Sequence, residues 1–157
     1  MGVCFIKRSF IKRNKRFLLF LGLTVLWLMV IFSFSMQTGN ESSQISGGIV
    51  TLFVETIFPA GFAYIEEVEF LIRKAAHFTE YFILGILTSL TVSETRCRHI
   101  LLTSWICGSA AACCDETIQL FSAGRTGQFV DVLLDSTGVL CGCGAVYMIA
   151  AVFRSRK

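Results

Sequence analysis

Residues 17–40 read FLLFLGLTVLWLMVIFSFSMQTGN, 24 positions without a single charge. The core of this stretch, Phe17 to Met36, gives about 30 Å of helix, the thickness of a bilayer's hydrocarbon. Six basic residues precede it: Lys7, Arg8, Lys12, Arg13, Lys15 and Arg16. A secretory signal also starts basic, but its apolar run is shorter and ends in a small-x-small cleavage site. Phe32-Ser33-Phe34-Ser35-Met36 offers none. The stretch therefore predicts an uncleaved first membrane span.

The rest of the chain agrees. Of its 157 residues 54% are hydrophobic and only 16% charged, and mean hydropathy is +0.69. Intrinsic disorder needs the opposite balance. Seven cysteines, an odd number set mostly in apolar runs, do not suit a disulfide-stapled secreted domain. A net charge of +3, with the basic residues flanking apolar segments, does not suit a nucleic-acid binder. Three further stretches are long enough to cross a bilayer, about 70–92, 99–121 and 129–153. The single proline, Pro59, lies outside all of them. The expected fold is all-α: one polytopic membrane domain over residues 1–157, a bundle of four transmembrane helices.

Orientation follows from basic residues in short loops. With the N-terminus inside, the inner face collects the six N-terminal cations, Arg96 and Arg98, and Arg154, Arg156 and Lys157. The outer face has only Arg73, Lys74 and Arg125. Both termini are thus expected in the cytoplasm. The loop at about 37–69 is then extracytoplasmic, and it is acidic, with Glu41, Glu55, Glu66, Glu67 and Glu69. Within it, Gly47 to Phe58 is too short to span and predicts an interfacial or re-entrant helix.

A charged side chain deep in a bilayer costs about 2.5–3.5 kcal/mol on insertion scales, so such groups face one another or water. His77 lies about 10 Å along the second span, counted from Phe70 at the rise of an α-helix. Asp115 lies about 9 Å before Phe121, and Asp135 about 9 Å after Phe129. All three depths are measured from the outer face. Arg73, His77 and Glu80 share one helical stripe that Tyr81 extends. Asp115 with Gln119, and Asp131 with Asp135, are i, i+4 pairs. The polar faces of three helices are thus expected to converge at one level of the outer leaflet. Such convergence serves either a buried salt-bridge network, with Arg73 and Arg125 balancing Asp115, Asp131 and Asp135, or a functional cavity open to the outside. Lys74, 100° around the helix from Arg73, points instead toward phosphate headgroups in this reading.

As chemistry, His77 with Glu80, Asp115, Asp131 and Asp135 supplies a candidate general acid–base set. Arg73, Lys74 and Arg125 suit the phosphates of a membrane-bound substrate, with Glu116 and Gln119 as further binding candidates. Ser122 and Thr126 are weak candidate nucleophiles. His77, Glu80, Asp115, Glu116, Asp131 and Asp135 include metal-ligand types suited to Zn²⁺ or Mn²⁺. Their spacing matches no metal motif, so no metal is assigned and the cofactor is left unknown. Gly124-Arg125-Thr126-Gly127 reads as a tight turn, and Gly138, Gly142 and Gly144 as close helix packing.

Three blocks carry a resemblance. They are Phe34-Ser35-Met36-Gln37 with the serines after it, Arg73-Lys74-Ala75-Ala76-His77-Phe78-Thr79-Glu80-Tyr81 with Leu84-Gly85, and Asp115-Glu116-x-x-Gln119-x-Phe121-x-x-Gly124-Arg125-x-Gly127 followed by Asp131, Asp135 and Gly138. On these blocks the chain resembles the VanZ-like family of bacterial membrane proteins. It departs from the pattern at Ile118, where a polar or aromatic residue, often His, is expected. The resemblance implies a multi-pass protein of the bacterial cytoplasmic membrane, active in the cell envelope, whose namesake is associated with low-level resistance to teicoplanin-type glycopeptides. It carries no catalytic mechanism, so whether the chain is an enzyme stays open. The functional expectation is an outer-leaflet cavity that binds or modifies an envelope lipid or lipid-linked cell-wall precursor. The rivals are a proton-coupled transporter, which an oligomer could complete, and a non-enzymatic envelope factor held by salt bridges. Membrane lipids are the expected partners, and nucleic acid is not.

Overall fold

No proline interrupts the four long helices of the computed structural model, which describes residues 2–37, 47–48, 65–124 and 127–155. Side chains are described from Asn14 in the first helix and from Glu67 in the second. Helix α1 spans Gly2–Ser35, α2 Ile65–Ser93, α3 Ile100–Phe121 and α4 Phe129–Ser155. The described residues contain no strand. α1 runs from the basic segment into the uncharged stretch without a break. α2 begins five residues before the apolar run at Phe70, where three of the five added residues are glutamates, which are good helix formers. The expected interfacial helix at 47–58 lies outside the described residues except for Gly47 and Gly48, which are helical.

Among the described residues, three helical segments are long and apolar enough to cross a membrane: Asn14–Ser35, Glu67–Ser93 and Phe129–Ser155. α3 has the length, 22 residues, but Asp115, Glu116 and a run of Gly, Ser and Ala dilute its hydropathy. Its buried positions are Ser104, Gly108, Ala112, Asp115, Glu116 and Gln119, a single stripe at i, i+3 and i+4 spacing. Leu101, Leu102, Ile106 and Leu120 face outward.

The molecule is polar inside and apolar outside. Its buried apolar core is small: Ile31, Tyr81, Leu84, Ala112, Val139 and Cys143. More of the described buried residues are polar or charged than apolar, among them Thr24, Ser104, Asp115, Glu116, Gln119 and Asp135. Large apolar side chains cover the exterior, with Phe121 87% and Phe129 75% exposed. In water such a surface would drive aggregation, whereas in lipid it is the stable arrangement.

Helix α2 is central, contacting α1, α3 and α4, and its largest interface is with α4. There the backbones nearly touch. A Cβ on Gly85 would strike the Val139 carbonyl, one on Gly142 would strike the Phe82 carbonyl, and one on Gly138 would sit 2.8 Å from the Phe78 carbonyl oxygen. Gly144, expected in the same packing, has open space around it, because it lies away from α2 on the helix face. α1 is tied on by a hydroxyl pair, Thr24 with Thr91 at 3.0 Å, and by the Trp27 indole N–H, which donates to the Glu80 carbonyl at 2.9 Å. Three residues after α3, Gly124 turns the chain with φ 77°, a left-handed conformation. Gly124→Ala is expected to cost about 1–2 kcal/mol, the ordinary penalty for a Cβ there. A fall in the thermal midpoint of the detergent-purified protein checks it, and an unchanged midpoint would contradict it.

Candidate functional site

The polar residues collect at one end of the bundle, formed by the first half of α2, the end of α3 and the start of α4. On α2, Lys74 forms an ion pair and hydrogen bond with Asp131 of α4. Its Nζ also lies 5.1 Å from the centroid of the Phe70 ring. Arg73 Nη2 pairs with Glu69 Oε1 at 2.9 Å, one turn earlier on the same helix. The α2-to-α4 bridge is therefore made by Lys74. This corrects the expectation that Lys74 points toward phosphate headgroups. The 100° between Arg73 and Lys74 turns Lys74 toward α4. Replacing Lys74 by Ala leaves the partly buried Asp131 carboxylate without its cation. A double-mutant cycle over Lys74→Ala and Asp131→Ala should return a coupling of about 1–3 kcal/mol in detergent unfolding, since both groups are charged and partly shielded. A coupling near zero would show the pair to be incidental.

On α3, Asp115 is fully buried, and Glu116 and Gln119 nearly so. The Gln119 amide donates to Asp115 Oδ2 at 3.1 Å, the contact expected from i, i+4 spacing. Glu116 reaches across to α4, where its Oε2 accepts the backbone N–H of Gln128 at 2.9 Å. Gln128 is the residue before α4, so the carboxylate caps that helix's electropositive start. On α4, Asp135 is 0% exposed, and its Oδ1 lies 3.9 Å from His77 Nδ1. The Ser122 hydroxyl donates to the Ser35 carbonyl at 2.9 Å and so joins α3 to α1.

His77, Asp115, Glu116 and Asp135 form a cluster. One nitrogen or oxygen from each lies within 4.8 Å of those from the other three. Sharing His77 with the cluster, a cavity of about 180 Å³ is lined by Phe70, Arg73, Lys74, His77, Gln119, Gly124, Gln128 and Asp131. His77 belongs to both, so it stands between the cavity and the buried carboxylates. The cavity wall combines two cations, an imidazole, two amides and one carboxylate, a set that can bind an anionic oxygen group by charge-assisted hydrogen bonds.

Three helices that share no local sequence thus bring their ionisable groups to one place. The family described as VanZ/LLP1 matches residues 20–152, which include every one of these groups. The chain belongs to the VanZ/LLP1 family. No curated protein and no solved structure matches it. Family membership and three membrane-length apolar helices together point to a membrane protein.

Within this VanZ/LLP1 chain the sequence-selected residues divide. His77, Asp115, Glu116 and Asp135 meet in the cluster. Arg73, Lys74, Gln119 and Asp131 line the cavity beside it. Glu80 is not one of the four clustered groups. It lies on the same stripe of α2 as His77, three residues further along the helix. Arg125 and Thr126 lie outside the described residues. Phe70 and Gln128 are cavity residues that sequence reasoning did not select. Gln128 carried one signal, its place at the start of the α4 apolar run, where helix caps sit.

Proposed function

We propose that this end of the bundle faces the outer leaflet and that its cavity binds or modifies an anionic envelope lipid or a lipid-linked cell-wall precursor. The observation that carries the reading is the cavity itself, in which Arg73 and Lys74 stand at the rim and His77 leads to buried carboxylates. A phosphate-bearing headgroup suits the cations. The acyl or polyprenyl part suits the apolar exterior at Phe70, Phe121 and Phe129. The chain forms a single membrane domain with four spans and both termini in the cytoplasm. The inward polar stripe of α3 supports its inclusion, since lipid would meet mainly Leu101, Leu102, Ile106 and Leu120. The excess of Lys and Arg at Lys15, Arg16, Arg96, Arg98 and Arg154 supports the orientation.

Action on a precursor or lipid of the outer surface would change what a teicoplanin-type glycopeptide meets there, and lowered susceptibility is the phenotype this reading assigns. A transporter fits less well, because Leu84 to Val92, Leu101 to Gly108 and Gly142 to Val152 carry no charge that could continue a path inward. The test is a comparison of lipid and cell-wall precursor pools in cells with and without the protein. One pool should change in abundance or headgroup. Identical pools would overturn the reading.

A further inference from the structure

We propose that His77, Asp115, Glu116 and Asp135 form a binding site for one divalent first-row metal ion, Mn²⁺ or Zn²⁺. Four ligand residues from three helices approach within 4.8 Å of one another. Neighbouring ligands of a tetrahedral ion are about 3.4 Å apart, so the widest pair would have to close by up to roughly 0.7 Å at each end. The donors are one imidazole and three carboxylates. Oxygen-only cations such as Ca²⁺ and Mg²⁺ make little use of the imidazole, and soft ions prefer thiolates, which the cluster lacks.

A second observation points to a ligand independently of this crowding. Asp135 is 0% exposed, and neither of its carboxylate oxygens has a hydrogen-bond partner among the described residues. Glu116 uses Oε2 on Gln128, while its buried Oε1 is likewise without a hydrogen-bond partner there. Buried polar atoms in native proteins are almost always satisfied, and a buried charge is paired or coordinates a metal. Lys74, the nearby cation with a described partner on α4, is engaged by Asp131. An ion at the centre of the cluster would satisfy Asp135 and Glu116 together and offset the mutual repulsion of three carboxylates. Gln119, which donates to Asp115 Oδ2, would hold that ligand in place, as outer partners of metal ligands commonly do. Because His77 also lines the cavity, the ion would sit at its floor.

The site coincides with the one assigned above to an anionic headgroup, but the metal argument rests on the four ligands alone. The test uses the full chain in detergent, stripped with chelator and then given Mn²⁺ or Zn²⁺ singly, with no added lipid. The protein should retain about one equivalent of one of these ions after desalting and show a raised thermal midpoint. Asp135→Asn and His77→Gln, which keep size and polarity, should each weaken uptake at least roughly 100-fold, more than loss of an outer partner does. Glu94→Gln, a carboxylate in the turn after α2, should bind as the unaltered protein does. The proposal is overturned if the stripped protein takes up neither ion, or if folded Asp135→Asn and His77→Gln bind as well as Glu94→Gln. If those two variants do not fold, the unaltered protein decides: a saturable single-equivalent uptake with a raised midpoint supports the site, and its absence ends it. Metal uptake with unchanged lipid pools would sustain the ion and sink the lipid reading. Changed pools without uptake would do the reverse.

Discussion

Replacing His77 or Asp135 by Ala is expected to abolish the protein's effect on the envelope in cells while leaving membrane insertion intact. Activity should fall at least roughly 100-fold, the usual worth of a positioned proton donor or acceptor. The two halves of this prediction have separate causes. Asp135 is fully buried beside His77, and His77 is the only cluster residue that also lines the cavity, so either loss disconnects the carboxylates from what the cavity holds. Insertion should not suffer, because removing an ionisable group from a helix lowers its insertion cost, by about 2.5–3.5 kcal/mol for a charged Asp at mid-membrane. Protein level in the membrane fraction and the envelope phenotype are the two readouts. Full activity in both variants would remove the site from the account.

The largest structural effect is expected at Gly142. A Cβ there would overlap the Phe82 carbonyl of α2, and backbone cannot swing aside as a side chain can. Gly142→Leu should separate α4 from α2. Overpacking a core side chain costs about 1–3 kcal/mol, and a clash against backbone lies at or beyond the upper end. The separation would also draw Asp131 from Lys74 and Asp135 from His77, so lost stability and lost activity should appear together. Gly144→Leu, at a position with open space, serves as the matched control and should retain both. Monodispersity and thermal midpoint in detergent read the outcome. Equal behaviour of the two variants would mean that the α2–α4 packing is not what holds the site.

The helices were legible because the bilayer enforces a simple rule: long uncharged runs become helices of known length. Periodicity alone placed His77, Asp115 and Asp135 on inward faces at a common depth, and the structure brings them together. What the sequence could not supply was rotation about each helix axis to within a few tens of degrees. That rotation decides that Lys74 reaches Asp131, and that Gly138 and Gly142 but not Gly144 meet α2. The capping role of Glu116 was not legible either, because the backbone N–H it accepts is 12 residues away across a turn. No local spacing announces such a contact. α3 shows the limit of hydropathy itself. The buried polar residues of the cluster are those that make the helix less apolar, so a helix that supplies two of its four groups gives the weakest membrane signal.

The cavity beside His77 is proposed to take an anionic lipid. Native mass spectrometry of the purified protein, given matched anionic and zwitterionic phospholipids in turn, tests it most directly. The anionic lipid should bind roughly tenfold more tightly, a difference of about 1.4 kcal/mol, and Lys74→Glu should erase that preference. Equal binding of the two lipids, or a preference that survives Lys74→Glu, would contradict it.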